Sequence, residues 1–224
     1  MKKTLLAIGL LASMSIFGQD CQSYYFLQNN KNIEMTTYNR KGSEVGKLVY
    51  HVTGVQSMGN SLTATVDEEI FDKKGKSTMK ATNKIQCDGG MLMMDIKMNM
   101  PQSNSPQFND ASATASNVYI EYPSSMKAGD QLKDATMHLD VSTHGMKQSM
   151  DMQVVDRKVL DKESVTTPAG TWDCFKITST VHMTMRTAGI GIPIKMDQTE
   201  WFAPGFGIVK SESKSGSTLI TAIH

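Results

Sequence analysis

The stretch T-T-P-A-G-T-W-D-C-F-K-I (Thr166 to Ile177), followed by T-E-W-F-A-P-G-F-G-I-V-K-S-E (Thr199 to Glu212), decides how this chain folds. Pro168, Ala169 and Gly170 make a turn: proline fixes φ for the first turn position and glycine supplies the permissive one. From Trp172 the chain runs to Arg186 without Gly or Pro, and Val, Thr, Ile, Phe and Trp dominate its first half, a strand composition. Strand alternation puts Phe175, Ile177, Ser179, Val181, Met183 and Met185 on one face, with Lys176, Thr178, Thr180, His182, Thr184 and Arg186 on the other. Thr187 to Pro193 (T-A-G-I-G-I-P) reads as a Gly-rich reversal, Ile194 to about Phe202 as a second strand, Ala203 to Gly207 as a turn, and Ile208 to Ser213 as a third strand. Three strands joined by short turns make an antiparallel meander.

Outward from this stretch the same grammar repeats. Ile33 to Asn39 and Val45 to Thr53 flank Arg40-Lys41-Gly42-Ser43, and Leu62 to Asp72 and Ser77 to Cys87 flank Lys73-Lys74-Gly75-Lys76; both are hairpin signatures. After Asp88-Gly89-Gly90, the run M-L-M-M-D-I-K-M-N-M (Met91 to Met100) puts Leu92, Met94, Ile96, Met98 and Met100 on one face of a strand, opposite Asp95, Lys97 and Asn99. Pro101 to Asn117, rich in Ser, Asn, Pro and Ala, reads as a long loop able to cover an open sheet face. Val118 to Tyr122 is a short extended piece. Ala135 to Ser142 and Met146 to Leu160 form a further hairpin, Asp161 to Ser164 leads into the central stretch, and Thr218 to Ile223 closes the chain. No segment has a helical period of useful length. The expected fold is all-β: a strongly curved antiparallel meander, a half-barrel or open barrel, as one domain over 19–224.

The central stretch, with Cys21 to Tyr25 and the hairpin at Arg40-Lys41-Gly42, resembles the TapB-like group of exported bacterial proteins, part of a larger family named only as a domain of unknown function. The resemblance spans the mature chain. It implies a curved antiparallel sheet, loosely similar to the half-barrels of the periplasmic lipoprotein carriers LolA and LolB. It implies no established activity and transfers no site residue.

Residues 1–18 read as an export leader: Lys2 and Lys3, an apolar run from Leu5 to Phe17, and cleavage near Gly18. The run is too short to span a bilayer, so the expected location is periplasmic or secreted, without a membrane span. Gln19 and Asp20 stand where a lipid-attachment signal before Cys21 wants small residues. The whole chain has a formal charge of +1, and loss of Lys2 and Lys3 leaves it near neutral. That gives no electrostatic case for nucleic acid or an anionic membrane surface.

Three cysteines in an oxidising compartment suggest a Cys21–Cys87 staple with Cys174 buried and reduced; three unpaired thiols is the open alternative, because sequence does not fix connectivity. No Cys/His spacing suits zinc, and no metal or cofactor is expected. No G-x-S-x-G, phosphate loop or H-E-x-x-H occurs. Cys174 and His182 are eight strand residues, about 26 Å, apart. Glu68 and Glu69, beside Asp67, read as a solvated strand edge. An enzyme is not expected.

The chemistry that stands out is methionine: 18 residues, several as M-x-M on strands. Three readings compete. The methionines are core, where an unbranched thioether fills gaps. Or Leu92, Met94, Ile96, Met98, Met150, Met152, Val181, Met183 and Met185 line a concave face that binds a lipid or other apolar molecule. Or thioether and imidazole hold Cu(I), against which His182 points away from Met183 and Met185. An envelope protein docked on exposed sheet edges is the partner expected if the face is filled.

Overall fold

A computed structural model describes residues 21–99, 119–143, 146–187 and 189–224; the leader over 1–18 and the loop over 101–117 lie outside the described residues. These residues form twelve strands: β1 (Asn32–Asn39), β2 (Glu44–Met58), β3 (Ser61–Asp72), β4 (Ser77–Asp88), β5 (Met91–Asp95), β6 (Tyr119–Tyr122), β7 (Ala135–Thr143), β8 (Met146–Thr167), β9 (Gly170–Thr187), β10 (Ile190–Ala203), β11 (Gly207–Ser213) and β12 (Gly216–Ile223). All belong to one antiparallel sheet in the order β6-β5-β4-β3-β2-β1-β12-β11-β10-β9-β8-β7, nearly closed into a barrel. The chain starts mid-sheet, winds out to β6, crosses to β7 and winds back until β12 pairs with β1. The gap in the barrel therefore lies between β6 and β7, not between the terminal strands.

The β1–β2 and β3–β4 hairpins share one turn chemistry. Asn39 Oδ1 accepts the Lys41 and Ser43 amides, and Asp72 Oδ1 accepts those of Lys74 and Lys76. Gly42 and Gly75 take the left-handed conformation that each turn needs, at φ 75° and 76°.

Three expectations are corrected. Strand β5 stops at Asp95, and Ile96–Asn99 form a 3-10 turn. Asp95 Oδ1 accepts the Lys97 amide at 3.0 Å, and this side-chain turn ends the strand although the apolar alternation continues past it. The reversal expected over Thr187 to Pro193 is much tighter: β10 already starts at Ile190 and pairs Pro193 with Thr184. Proline is tolerated there because β11 reaches β10 only from Gln198 onward, which leaves one edge of 190–197 unpaired among the described residues. Strand β8 runs unbroken to Thr167, through residues expected to be a connector, but it bulges at Asp156, where φ is 54° and the register with β9 slips between Val155 and Lys158.

One end of the barrel is stoppered by two 3-10 turns, Cys21–Ser23 and Tyr25–Leu27. Tyr24, Phe26 and Leu27 are buried, the Tyr24 hydroxyl donates to the Gly90 carbonyl, and Cys21 is joined to Cys87. Cys174 is free and buried, with its thiol pushed up to about 12 by burial first and by Asp173 and Glu163 second.

Candidate functional site

The interior is not completely filled. A cavity of about 480 Å³ opens between the β1–β2 and β11–β12 turns and runs inward toward the stopper. Phe26, Tyr50 and Ile208 lie at its inner end, and Met35, Leu48, Met94, Met98 and Met196 form an apolar wall. Its other wall is hydroxyl- and amide-rich. Register places Gln198 opposite Ser213, Glu200 opposite Ser211, Ser211 opposite Thr218, and Thr218 opposite Thr37, all on one face because directly paired residues share a face. The Thr37 and Thr218 hydroxyls bond to each other at 3.0 Å.

The nine residues expected on an apolar face divide. Met94 and Met98 line the cavity. Leu92, Ile96, Met150, Met152, Val181 and Met183 are buried in the core, and Met185 is half-buried against it. Met152 sits between Met137 and Met183 across the ladders, and Met150 between Leu139 and Met185, so these thioethers pack mainly on one another. Their inward face is the one that alternation predicts; being inward does not make a residue reach the cavity.

A group that the sequence reading missed continues the apolar wall. Ile194 is paired with Met183 and Ile192 with Met185, so both point inward, as does Met196 opposite Val181. Yet Ile190, Ile192 and Ile194 are 74%, 63% and 42% exposed. The inner face of β10 thus runs as an apolar stripe from open solvent to Met196 in the cavity wall. The alternation I-G-I-P-I-K-M was legible, but its Gly and Pro read as a turn.

Two acidic groups face inward as well. Glu200, at the inner end of the cavity, accepts from the Tyr122 hydroxyl at 3.0 Å and from the Gln198 amide at 2.7 Å. Glu68 is not a solvated edge residue: it is 5% exposed, paired with Tyr50 and bonded by Asn83 Nδ2 at 2.7 Å. Its carboxyl is raised from 4.5 to about 7, chiefly by burial; the Asn83 bond and Lys97 oppose the rise and Asp95 adds to it. Glu69, its neighbour on the outer face, pairs with Lys80.

A carboxyl whose folded pKa lies above its unfolded value keeps a proton that the unfolded chain has shed. Glu68 therefore contributes stability that is full below pH 4.5 and is lost as pH rises through about 7. Glu68→Gln is expected to match the parent near pH 4 and to exceed it by about 3 kcal/mol at pH 8. Urea unfolding at both pH values checks this; a gain that does not depend on pH would refute the assignment.

Among the described residues no cluster of three or more His, Cys, Asp or Glu could hold a metal ion, and no helix is long and apolar enough to cross a membrane. His182 is exposed on the outer face, away from Met183. Trp201 is an outward aromatic under Lys176 and Lys210, its indole N–H donated to Glu163.

The fold and its interior define a class: all-β proteins with a nearly closed antiparallel sheet around an amphipathic cavity. This chain belongs to the DUF3108-like family, whose profile matches residues 28–220. No curated protein matches it. Two crystal structures share the fold. A predicted lipoprotein from Parabacteroides distasonis superposes with a TM-score of 0.73 at 22% identity, covering 88% of this chain and 96% of that one. A predicted exported protein with a YmcC-like fold, from Bacteroides fragilis, gives 0.70 at 23% identity over the same shares.

Proposed function

We propose that this is an exported, non-enzymatic binding protein that holds a lipid or other apolar small molecule in the barrel cavity. The observation that carries the reading is the continuity between the cavity's apolar wall and the exposed stripe of Ile190, Ile192 and Ile194. A volume of about 480 Å³ lies within the ordinary range of small-molecule sites, about 300–1,000 Å³. Each methylene taken from water into such a site is worth about 0.8 kcal/mol. The leader, the TapB-like motifs and the export assigned to the Bacteroides relative support a periplasmic or secreted location. The loose likeness to LolA and LolB that the sequence resemblance implies fits the same role. The Parabacteroides relative is a predicted lipoprotein; here the Cys21 sulfur is bonded to Cys87.

Native mass spectrometry of the mature protein from its own cells, followed by organic extraction, tests the reading: a co-purifying acyl mass is expected. Met196→Asp, at a half-buried cavity position, is expected to weaken uptake of an uncharged fluorescent dye at least about tenfold, while Met196→Leu leaves it unchanged. Equal uptake by all three proteins would refute the reading.

A second reading has its own support. One edge of β10 over 190–197 is unpaired among the described residues and bears exposed isoleucines, which suits strand addition by an envelope protein. An empty cavity in the native protein, with a protein partner lost on Ile192→Lys, would favour it.

A further inference from the structure

The cavity has two walls of different chemistry, and their placement constrains the head group of whatever enters. Its inner end and one side are apolar, with Phe26, Leu48, Tyr50, Met94 and Ile208, except for Glu200, whose carboxylate is held by Tyr122 and Gln198. Its hydroxyls and amides gather on β1, β11 and β12 toward the mouth, where Thr37, Asn39, Ser211, Ser213, Ser217 and Thr218 line it. An amphiphile satisfies both only with its tail inward and its head against the hydroxyl wall.

The charge of that head is constrained too. None of the described residues lining the cavity is Lys, Arg or His. Three cations belong to the turns at the mouth, and none is in the lining. Arg40 donates its Nε–H to the Lys214 carbonyl, tying one turn to the other; Lys41 is exposed on the β1–β2 turn; and Lys214 lines an outer groove with Thr178, Thr180 and Trp201. An anionic head on the wall would thus lose water and gain no cation from the lining. A cationic head is not called for either. The two carboxylates in the lining already have partners: Glu200 holds Tyr122 and Gln198, and Glu212 is 3.0 Å from the Lys210 ammonium. Hydroxyls and amides both donate and accept, which is the complement of another hydroxyl-bearing group.

We infer that the cavity takes an uncharged, hydroxyl-bearing amphiphile of the acylglycerol class, tail first, with its head on the Thr37–Ser211–Thr218 wall. This rests on the reading of the cavity as an apolar-ligand site. Fatty acids, phosphate-bearing lipids and alkylamines of the same tail length are the excluded classes.

The test is competition on the delipidated mature protein against N-phenyl-1-naphthylamine, an uncharged apolar dye. Monomyristin, myristate and tetradecylamine share a tail length and are compared below their micellar concentrations at neutral pH. Monomyristin is expected to displace the dye at concentrations about tenfold below either charged analogue. Ser211→Lys, at a half-buried position, is expected to improve displacement by myristate about tenfold relative to displacement by monomyristin on the same variant. Myristate or tetradecylamine equal to or better than monomyristin on the parent protein would overturn the head-group assignment and leave the apolar site standing. So would a Ser211→Lys protein with unchanged myristate displacement relative to monomyristin. Failure of the dye and of all three lipids to bind would overturn the site itself.

Discussion

Replacing Arg157 with alanine is expected to cost about 4 kcal/mol of folding stability, since it leaves two buried carbonyls without their donor, at about 1–3 kcal/mol each, and removes a large buried side chain. Arg157 is 1% exposed, among the most buried side chains of the protein. The bulge at Asp156 turns it inward, where Nη1 donates to the Glu121 carbonyl at 3.0 Å and the Lys133 carbonyl at 2.8 Å. Glu121 belongs to β6, and Lys133 lies just ahead of β7. These are the two edges of the sheet, and one guanidinium bridges them where, among the described residues, no ladder does. Outside it, the Lys133 ammonium pairs with Glu121 at 2.6 Å. On the inner side, the guanidinium lies 5.0 Å from the Tyr122 ring centroid, Tyr122 stacks on Phe202, and its hydroxyl reaches Glu200 at the end of the cavity. Arg157→Ala removes the donors from two carbonyls and opens a void beside Tyr122. Arg157→Met refills the void without the donors, so it should recover only part of the loss. Amide exchange over Tyr119–Tyr122 should speed up in both variants. A loss under about 1 kcal/mol, or unchanged exchange in β6, would mean that the edges hold together without this residue.

How that residue escaped the sequence shows where sequence reading stops. The hairpins at Arg40–Ser43 and Lys73–Lys76 were legible because their turns are local: an Asx side chain, lysines and a glycine hold each reversal within five residues. The inward face of β9 was legible for the same reason, since Ile177, Ser179, Val181 and Met183 follow a period of two. Asp156-Arg157, in contrast, reads as two polar residues on a solvated strand; only a bulge, invisible in composition, sends the arginine inside. Closure through β1 and β12 has no local signature, because the pairing joins residues up to 190 positions apart, such as Ile33 with Ile223. The methionine face was read with the correct parity but without depth. Alternation tells inward from outward; it does not separate Met94, which lines the cavity, from Met152, which packs between Met137 and Met183. Glu68 was misplaced for a related reason: three consecutive acids, Asp67 to Glu69, look solvated, yet on a strand the middle one must face opposite to its neighbours, and here that face is the interior.

Loss of the Cys21–Cys87 bond is expected to be as costly, about 4 kcal/mol, because the bond closes a long loop: the two cysteines are 66 positions apart, and the entropy it removes from the unfolded chain grows with the logarithm of that separation. For a domain of this size that is a fall in melting temperature of about 10 °C. The bond also fixes the end of the cavity. Cys21 opens the stopper whose Phe26 lines that end and packs edge-on against Tyr50 and Phe206. The stopper has its own anchors in Tyr24, buried against Phe202 and bonded to Gly90, and in Tyr25, stacked on Phe206. The two contributions separate experimentally. Cys21→Ser with Cys87→Ser, compared with the parent under oxidising and reducing conditions, should melt like the reduced parent; Cys174→Ser should leave the difference between the two conditions intact, since that thiol is buried and unpaired. If the aromatic anchors alone hold the stopper, the double variant will lose stability yet keep its affinity for the uncharged dye. If the covalent tie holds Phe26 in place, affinity falls with stability. A double variant that melts with the oxidised parent would show that the tie contributes nothing and that the aromatic packing closes this end of the barrel unaided.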